Sequence, residues 1–125
     1  MKKILSLIFI AGMFAACSEP LRLDNGDKVL LDKWTLSQDG GNMSFDVTVP
    51  STVAGVLYDE GVLRTDLLEG LNYYNADKSF FDTPWTYRTE FDVEIVDGQN
   101  YDLIFNGLNY YADIVLNDVC IASSD

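Results

Sequence analysis

From Trp85 to Val93 the chain alternates. Trp85, Tyr87, Thr89, Phe91 and Val93 fall on one side, and Thr86, Arg88, Glu90 and Asp92 on the other. A period of two sustained over this run predicts a half-buried β-strand. Upstream, Leu31, Trp34 and Leu36 mark a strand within Val29–Leu36. The run Asp39-Gly40-Gly41-Asn42 is a strong turn signal, and Phe45, Val47 and Val49 then share one face of a second strand. Together they predict a hairpin. Pro50 stops that strand, and Ser51 or Thr52 can cap a short helix from Val53 to about Glu60, closed by Gly61, with Val53, Val56 and Leu57 on one face. Downstream, Tyr101–Phe105 is an apolar run, Asn106-Gly107 a turn, and Ala112–Leu116 a further strand. Asn117-Asp118 can take the positive φ that a tight hairpin needs. Val119 to Ala122 would then be its return strand.

These elements predict an all-β fold, a β-sandwich with one short helix. The longest irregular piece is Arg64–Asp82, which holds Tyr73, Tyr74, Phe80 and Phe81 within polar surroundings. Long loops over a sandwich often carry function. The pattern supplies about five or six strands, where a jelly roll has about eight. No closing strand follows Ala122, so an edge is left open. The expectation is an incomplete jelly roll belonging to a longer protein.

The start of the chain follows different rules. Lys2 and Lys3 precede an apolar run from Ile4 to Phe14, then Ala15, Ala16 and Cys17. That order resembles a bacterial lipoprotein signal, in which the Cys becomes the new N-terminus and carries lipid. The alternative is an ordinary cleaved signal with an incidental Cys. The run falls short of the roughly 20 residues that cross a bilayer. The expected organisation is a signal peptide over 1–16, a lipidated Cys17 and linker over 17–28, and a partial sandwich over 29–125. The protein is then exported and membrane-anchored, facing the periplasm or the surface of a bacterium. Loss of the signal leaves six basic against twenty acidic residues, a net charge of −14. Such a chain is repelled by nucleic acid and by anionic lipid, so the expected membrane contact is the lipid alone and no nucleic-acid partner is expected.

Candidate chemistry narrows quickly. There is no histidine, which removes Ser-His triads and His-ligated zinc from this segment. Of the two cysteines, Cys120 lies in the apolar run Val119–Ala122 and is expected as a buried core thiol, since no base stands near it in sequence. The Asp24-Asn25-Gly26-Asp27 run lacks the spacing of a calcium loop. Neither metal nor cofactor is expected. Glu60, Glu69, Glu90 and Glu94 read as surface or edge residues. Asp113 reads equally as a solvated strand position or a ligand contact.

Three blocks in order carry a family likeness: VPSTVAGVLYDEGVL (Val49–Leu63), FDTPWTYRTEFDV (Phe81–Val93) and LIFNGLNYYADIVLND (Leu103–Asp118). In the last, Phe105, Gly107, Ala112, Val115, Leu116 and Asn117 carry the likeness, and Asp118 stands where Gly is usual. Over residues 28–122 the chain resembles the N-terminal sugar-binding domain of glycoside hydrolase family 2, in the branch that holds the β-mannosidases. The resemblance implies a galactose-binding-like layout for the sandwich, and an exo-acting, retaining glycosidase whose two catalytic glutamates lie on a later barrel. No catalytic residue is then expected in this segment. It also implies that the loop leading into the Trp85 strand lies near the pocket for the terminal β-linked sugar. Asp82 is the candidate acceptor for sugar hydroxyls. Trp85 has two readings, a core residue beside Tyr87 and Phe91, or a platform stacking on a pyranose. The rival functions are a β-galactosidase, β-glucuronidase or exo-glucosaminidase of the same family, a non-catalytic carbohydrate-binding lipoprotein, and a purely structural lipoprotein domain.

Overall fold

The computed structural model describes residues 19–124. The expected signal peptide and Cys17 lie outside the described residues. Two compact units divide the chain between Glu94 and Ile95.

The first unit is built on a three-stranded antiparallel sheet in the order β2-β1-β3, with β1 Lys33–Gln38, β2 Ser44–Thr48 and β3 Trp85–Arg88. The β1–β2 hairpin is the expected one, with Trp34 opposite Val47 and Leu36 opposite Phe45. Gly40 takes the positive φ of its turn, 69°. On its other edge β1 pairs with β3, setting Leu36 opposite Tyr87 and Gln38 opposite Trp85. Alternation then sorts the two faces. Thr35, Ser37, Asp46, Thr86 and Arg88 form a polar face. Trp34, Leu36, Phe45, Val47, Trp85 and Tyr87 form the apolar one, and Val53 and Val56 pack onto it from helix α1, Val53–Asp59.

The core of this unit is small. Leu36 and Leu57 are wholly buried, and Val47, Val56 and Leu63 complete the set of buried apolar side chains among the described residues. Three aromatic residues at its margin spend their polar tips on backbone carbonyls. Trp34 Nε1 donates to Leu31 at 2.7 Å, Trp85 Nε1 to Phe80 at 2.7 Å, and the Tyr87 hydroxyl to Ser51 at 3.2 Å. Of the two expected caps for α1, Thr52 serves: its hydroxyl accepts from Gly55 N–H at 3.1 Å. Gly61, at φ 70°, ends the helix.

Strand limits differ from the periodicity. β1 begins at Lys33 rather than Val29, because Val29 and Leu30 are solvent-exposed and have no ladder partner. β3 ends at Arg88 although alternation continues to Val93. Beyond the ladder, the Thr89 hydroxyl takes the Lys33 carbonyl at 2.9 Å. Leu21, within the expected linker, forms a parallel bridge with Val93 through Leu21 N–H to Asp92 O at 2.7 Å and Glu94 N–H to Leu21 O at 2.9 Å.

The second unit holds the antiparallel hairpin of β4, Asp113–Leu116, and β5, Val119–Ser123, with a bulge between Ile114 and Val115. Asn117 and Asp118 take φ of 49° and 63°, the paired left-handed turn that the sequence predicts. Ser124 closes the open end: its N–H donates to Ala112 O at 2.9 Å and its hydroxyl accepts from Ala112 N–H at 2.6 Å. The expected strand at Tyr101–Phe105 makes no ladder among the described residues. Cys120 corrects the expectation of a core thiol. It is exposed, because the hairpin has no second layer within its own unit. Asp113 is also exposed and accepts from the Ser123 hydroxyl at 2.6 Å, a cross-strand role.

Candidate functional site

The segment Arg64–Asp82, expected as one irregular loop, is ordered by its own side chains. Arg64 grips Asp66 with both arms of its guanidinium, Nε to Oδ1 at 2.8 Å and Nη2 to Oδ2 at 2.7 Å. That pairing lowers the Asp66 pKa and raises that of Arg64, chiefly through the hydrogen bond itself. Asn72 Nδ2 donates to Asp66 O at 2.9 Å, and the Tyr58 hydroxyl reaches across from α1 to Thr65 O at 3.0 Å. These ties replace the regular ladder that the segment lacks.

Within it lie two single helical turns that periodicity cannot show, α2 at Asn72–Asn75 and a 3₁₀ turn at Ser79–Phe81. The Asp77 carboxylate accepts the Ser79 N–H at 2.9 Å at the start of the 3₁₀ turn, which lowers the Asp77 pKa. Tyr73 and Tyr74 meet edge to face, and the Lys78 ammonium lies 4.6 Å from the centre of the Tyr73 ring. Tyr73, Tyr74 and Phe81 remain exposed. Beside α1, Ala54, Leu63, Leu67, Tyr73 and Phe81 line a mostly apolar cleft whose charged members are Asp77 and Lys78.

Asp82 and Trp85 stand three residues apart on the way out of this loop. Asp82 follows the 3₁₀ turn, its N–H donating to Ser79 O at 3.1 Å. It is exposed and its carboxylate accepts no hydrogen bond from the described residues. An exposed acceptor with no internal partner is free to bind hydroxyls from solution. Trp85 is half-buried. One part of its indole packs against the Leu36–Val47–Val56 cluster, and its N–H holds the Phe80 carbonyl. The loop is also bolted to the β1–β2 turn. Gln38 Nε2 donates to Thr83 Oγ1 at 2.8 Å, Asp39 N–H to Pro84 O at 3.0 Å, and Thr86 Oγ1 to Asp39 Oδ1 at 2.8 Å. Sequence reasoning missed Gln38 and Asp39, since a polar residue beside a Gly-Gly turn reads only as turn. Among the described residues, no three His, Cys, Asp or Glu side chains gather in a way that could hold a metal ion. No helix among them is long and apolar enough to cross a membrane.

The family described as "Glycosyl hydrolase 2 galactose-binding domain-like" matches residues 34–125. Over 98 residues, 77% of this chain, the sequence is 32% identical to a β-mannosidase of Mus musculus. Over the same length and share it is 31% identical to a β-mannosidase of Rattus norvegicus. The aligned stretch spans 11% of each of those relatives. No solved structure matches significantly. The matched region takes in the sheet, the α1 helix, the aromatic loop with Asp82 and Trp85, and the β4–β5 hairpin, and on that match the chain belongs to the glycosyl hydrolase 2 galactose-binding domain-like family.

Proposed function

We propose that this chain is the N-terminal sugar-binding domain of a longer, exo-acting, retaining glycoside hydrolase that cleaves terminal β-mannosides. The observation that carries the reading is likeness over 77% of the chain to two proteins named β-mannosidase. The ordered loop supports it. Exposed Asp82 offers a carboxylate with no partner among the described residues, and strong acceptors of this kind suit sugar hydroxyls. The domain braces the catalytic part and lends Asp82 and Trp85 to one wall of the pocket. The acid/base and nucleophilic carboxylates belong to the rest of the protein, so this segment does no chemistry by itself.

The test compares residues 18–125 with the full-length protein on nitrophenyl β-mannoside, galactoside, glucuronide and glucosaminide. The segment is expected to be inert and the full-length protein to turn over the mannoside. Turnover by the segment would refute the domain reading. Activity confined to galactoside or glucuronide would keep the family and overturn the substrate.

The same proposal has the protein exported and tethered through Cys17, facing the periplasm or the surface of a bacterium. Its support is the Lys2-Lys3, apolar, Ala15-Ala16-Cys17 order. In cells fed a clickable fatty acid, wild type is expected to take up label and Cys17→Ala to take up none. Equal labelling would exclude the anchor.

A further inference from the structure

We propose that Gln38 is a positioning residue for the loop that carries Asp82, and that Gly41 is glycine to let it act. The inference rests on the sugar-contact reading of Asp82. Upstream of Asp82 the chain is held by the 3₁₀ turn, through Asp82 N–H to Ser79 O at 3.1 Å. Downstream, the first tie is the Gln38 carboxamide, whose Nε2 donates to Thr83 Oγ1 at 2.8 Å. The β1–β3 ladder ends at the Gln38–Trp85 pair, so residues 82–84 have no strand pairing of their own. Asp39 N–H to Pro84 O at 3.0 Å fixes the residue after Thr83. Gln38 is therefore the side chain that locates the residue adjoining Asp82.

Gly41 supplies the second observation. A Cβ built there would collide with Gln38 Oε1 and lie 3.0 Å from Gln38 Cδ. Gly40 needs glycine for its φ of 69°, but Gly41 is not among the positive-φ glycines. What the missing side chain provides at Gly41 is room for the Gln38 carboxamide to fold back toward Thr83. The nearest atoms belong to the flexible carboxamide, and Gln38 Cβ at 3.2 Å needs to give by only a few tenths of an ångström, so Gly41→Ala displaces the carboxamide more readily than it distorts the turn.

A shift of the chain beside a sugar contact weakens transition-state binding without touching the reacting atoms. The experiment uses the full-length protein and nitrophenyl β-mannoside. Gln38→Leu and Gly41→Ala are each expected to lower kcat/KM about three- to tenfold, the worth of one polar contact, with most of the change in KM. Gln38→Glu, which can accept from the Thr83 hydroxyl, is expected to stay within about twofold of wild type. In an Asp82→Ala background, neither Gln38→Leu nor Gly41→Ala is expected to cost anything further, because the contact they position is gone. The same loss in both backgrounds would mark general structural damage and overturn the proposal. So would an unchanged kcat/KM in Gln38→Leu alongside a loss in Asp82→Ala. If Asp82→Ala is itself silent, the sugar-contact reading falls, and the positioning role falls with it.

Discussion

Leu36→Ala is expected to cost about 3–4 kcal/mol and to leave the three-stranded sheet unfolded or nearly so at 25 °C. Removing a wholly buried leucine side chain loses its transfer free energy and leaves a cavity, for about 2.7–5 kcal/mol in well-packed cores. Leu36 has no exposure, sits on the central strand, and packs with Val47 and Val56. Domains hold only about 0.05–0.15 kcal/mol of stability per residue, and a core of five buried apolar side chains among the described residues puts this unit toward the low end. The loss is then comparable to the whole stability. Leu30→Ala is the matched control. Leu30 is 78% exposed, so its removal should fall within about 0.5 kcal/mol of wild type. Urea unfolding followed by circular dichroism measures both. In a longer protein carrying this chain, hydrogen exchange at β1 gives the same comparison. Two equal, small effects would mean that the core has been placed on the wrong face of β1.

That core face was readable in advance because its signals are local. Phe45 and Val47 alternate with Ser44, Asp46 and Thr48, and Asp39-Gly40 forces a reversal, so the first hairpin and its inward face follow from neighbouring residues alone. The Asn117-Asp118 turn is local in the same sense, since two residues that tolerate positive φ lie between two apolar runs. The position of β3 is not local. Thr86 opposite Ser37 joins residues almost fifty positions apart, and no period within either strand encodes that choice. Tyr101–Phe105 shows the limit of apolar content as a signal: the run joins no ladder among the described residues, because apolarity does not specify a strand partner. Cys120 shows the limit of apolar neighbours. Val119 and Ile121 flank it and are themselves exposed, because burial needs a covering layer that a single segment cannot report.

The loop that carries Asp82 stood out in the sequence, and the contacts that hold it did not. Aromatic residues in a polar loop singled out the stretch around Tyr73 and Phe81, and the Trp85 strand gave its exit. The clamps were invisible. Arg64 and Asp66, two positions apart, read as ordinary surface charge until the bidentate geometry appears. Gln38 and Gly41 read as a turn. The Gln38 tie joins a side chain to a hydroxyl 45 positions away, which composition and spacing do not record.

Trp85→Ala is expected to cost about 2–3 kcal/mol and Trp85→Phe about 1 kcal/mol, and the pair separates the two roles open to this residue. Complete removal of a buried tryptophan costs about 3–5 kcal/mol, and Trp85 is only half-buried, so the estimate is reduced accordingly. Phenylalanine keeps most of the ring against the Leu36 cluster but has no N–H for the Phe80 carbonyl, and one such hydrogen bond is worth about 0.5–1.5 kcal/mol. For a unit of this size the alanine variant should melt about 10–20 °C lower. A tryptophan acting only as a sugar platform would behave differently. Its removal would leave the melting temperature unchanged and raise KM for the glycoside. Its indole N–H, though, is spent inward on the loop that carries Asp82, and part of its ring lies on the core. Stability and KM should therefore move together in Trp85→Ala, whereas Trp85→Phe should free the Phe80 carbonyl, loosen the 3₁₀ turn before Asp82, and raise KM with only a small drop in melting temperature. A Trp85→Ala protein that melts like wild type would remove the residue from the core and leave stacking on sugar as its role.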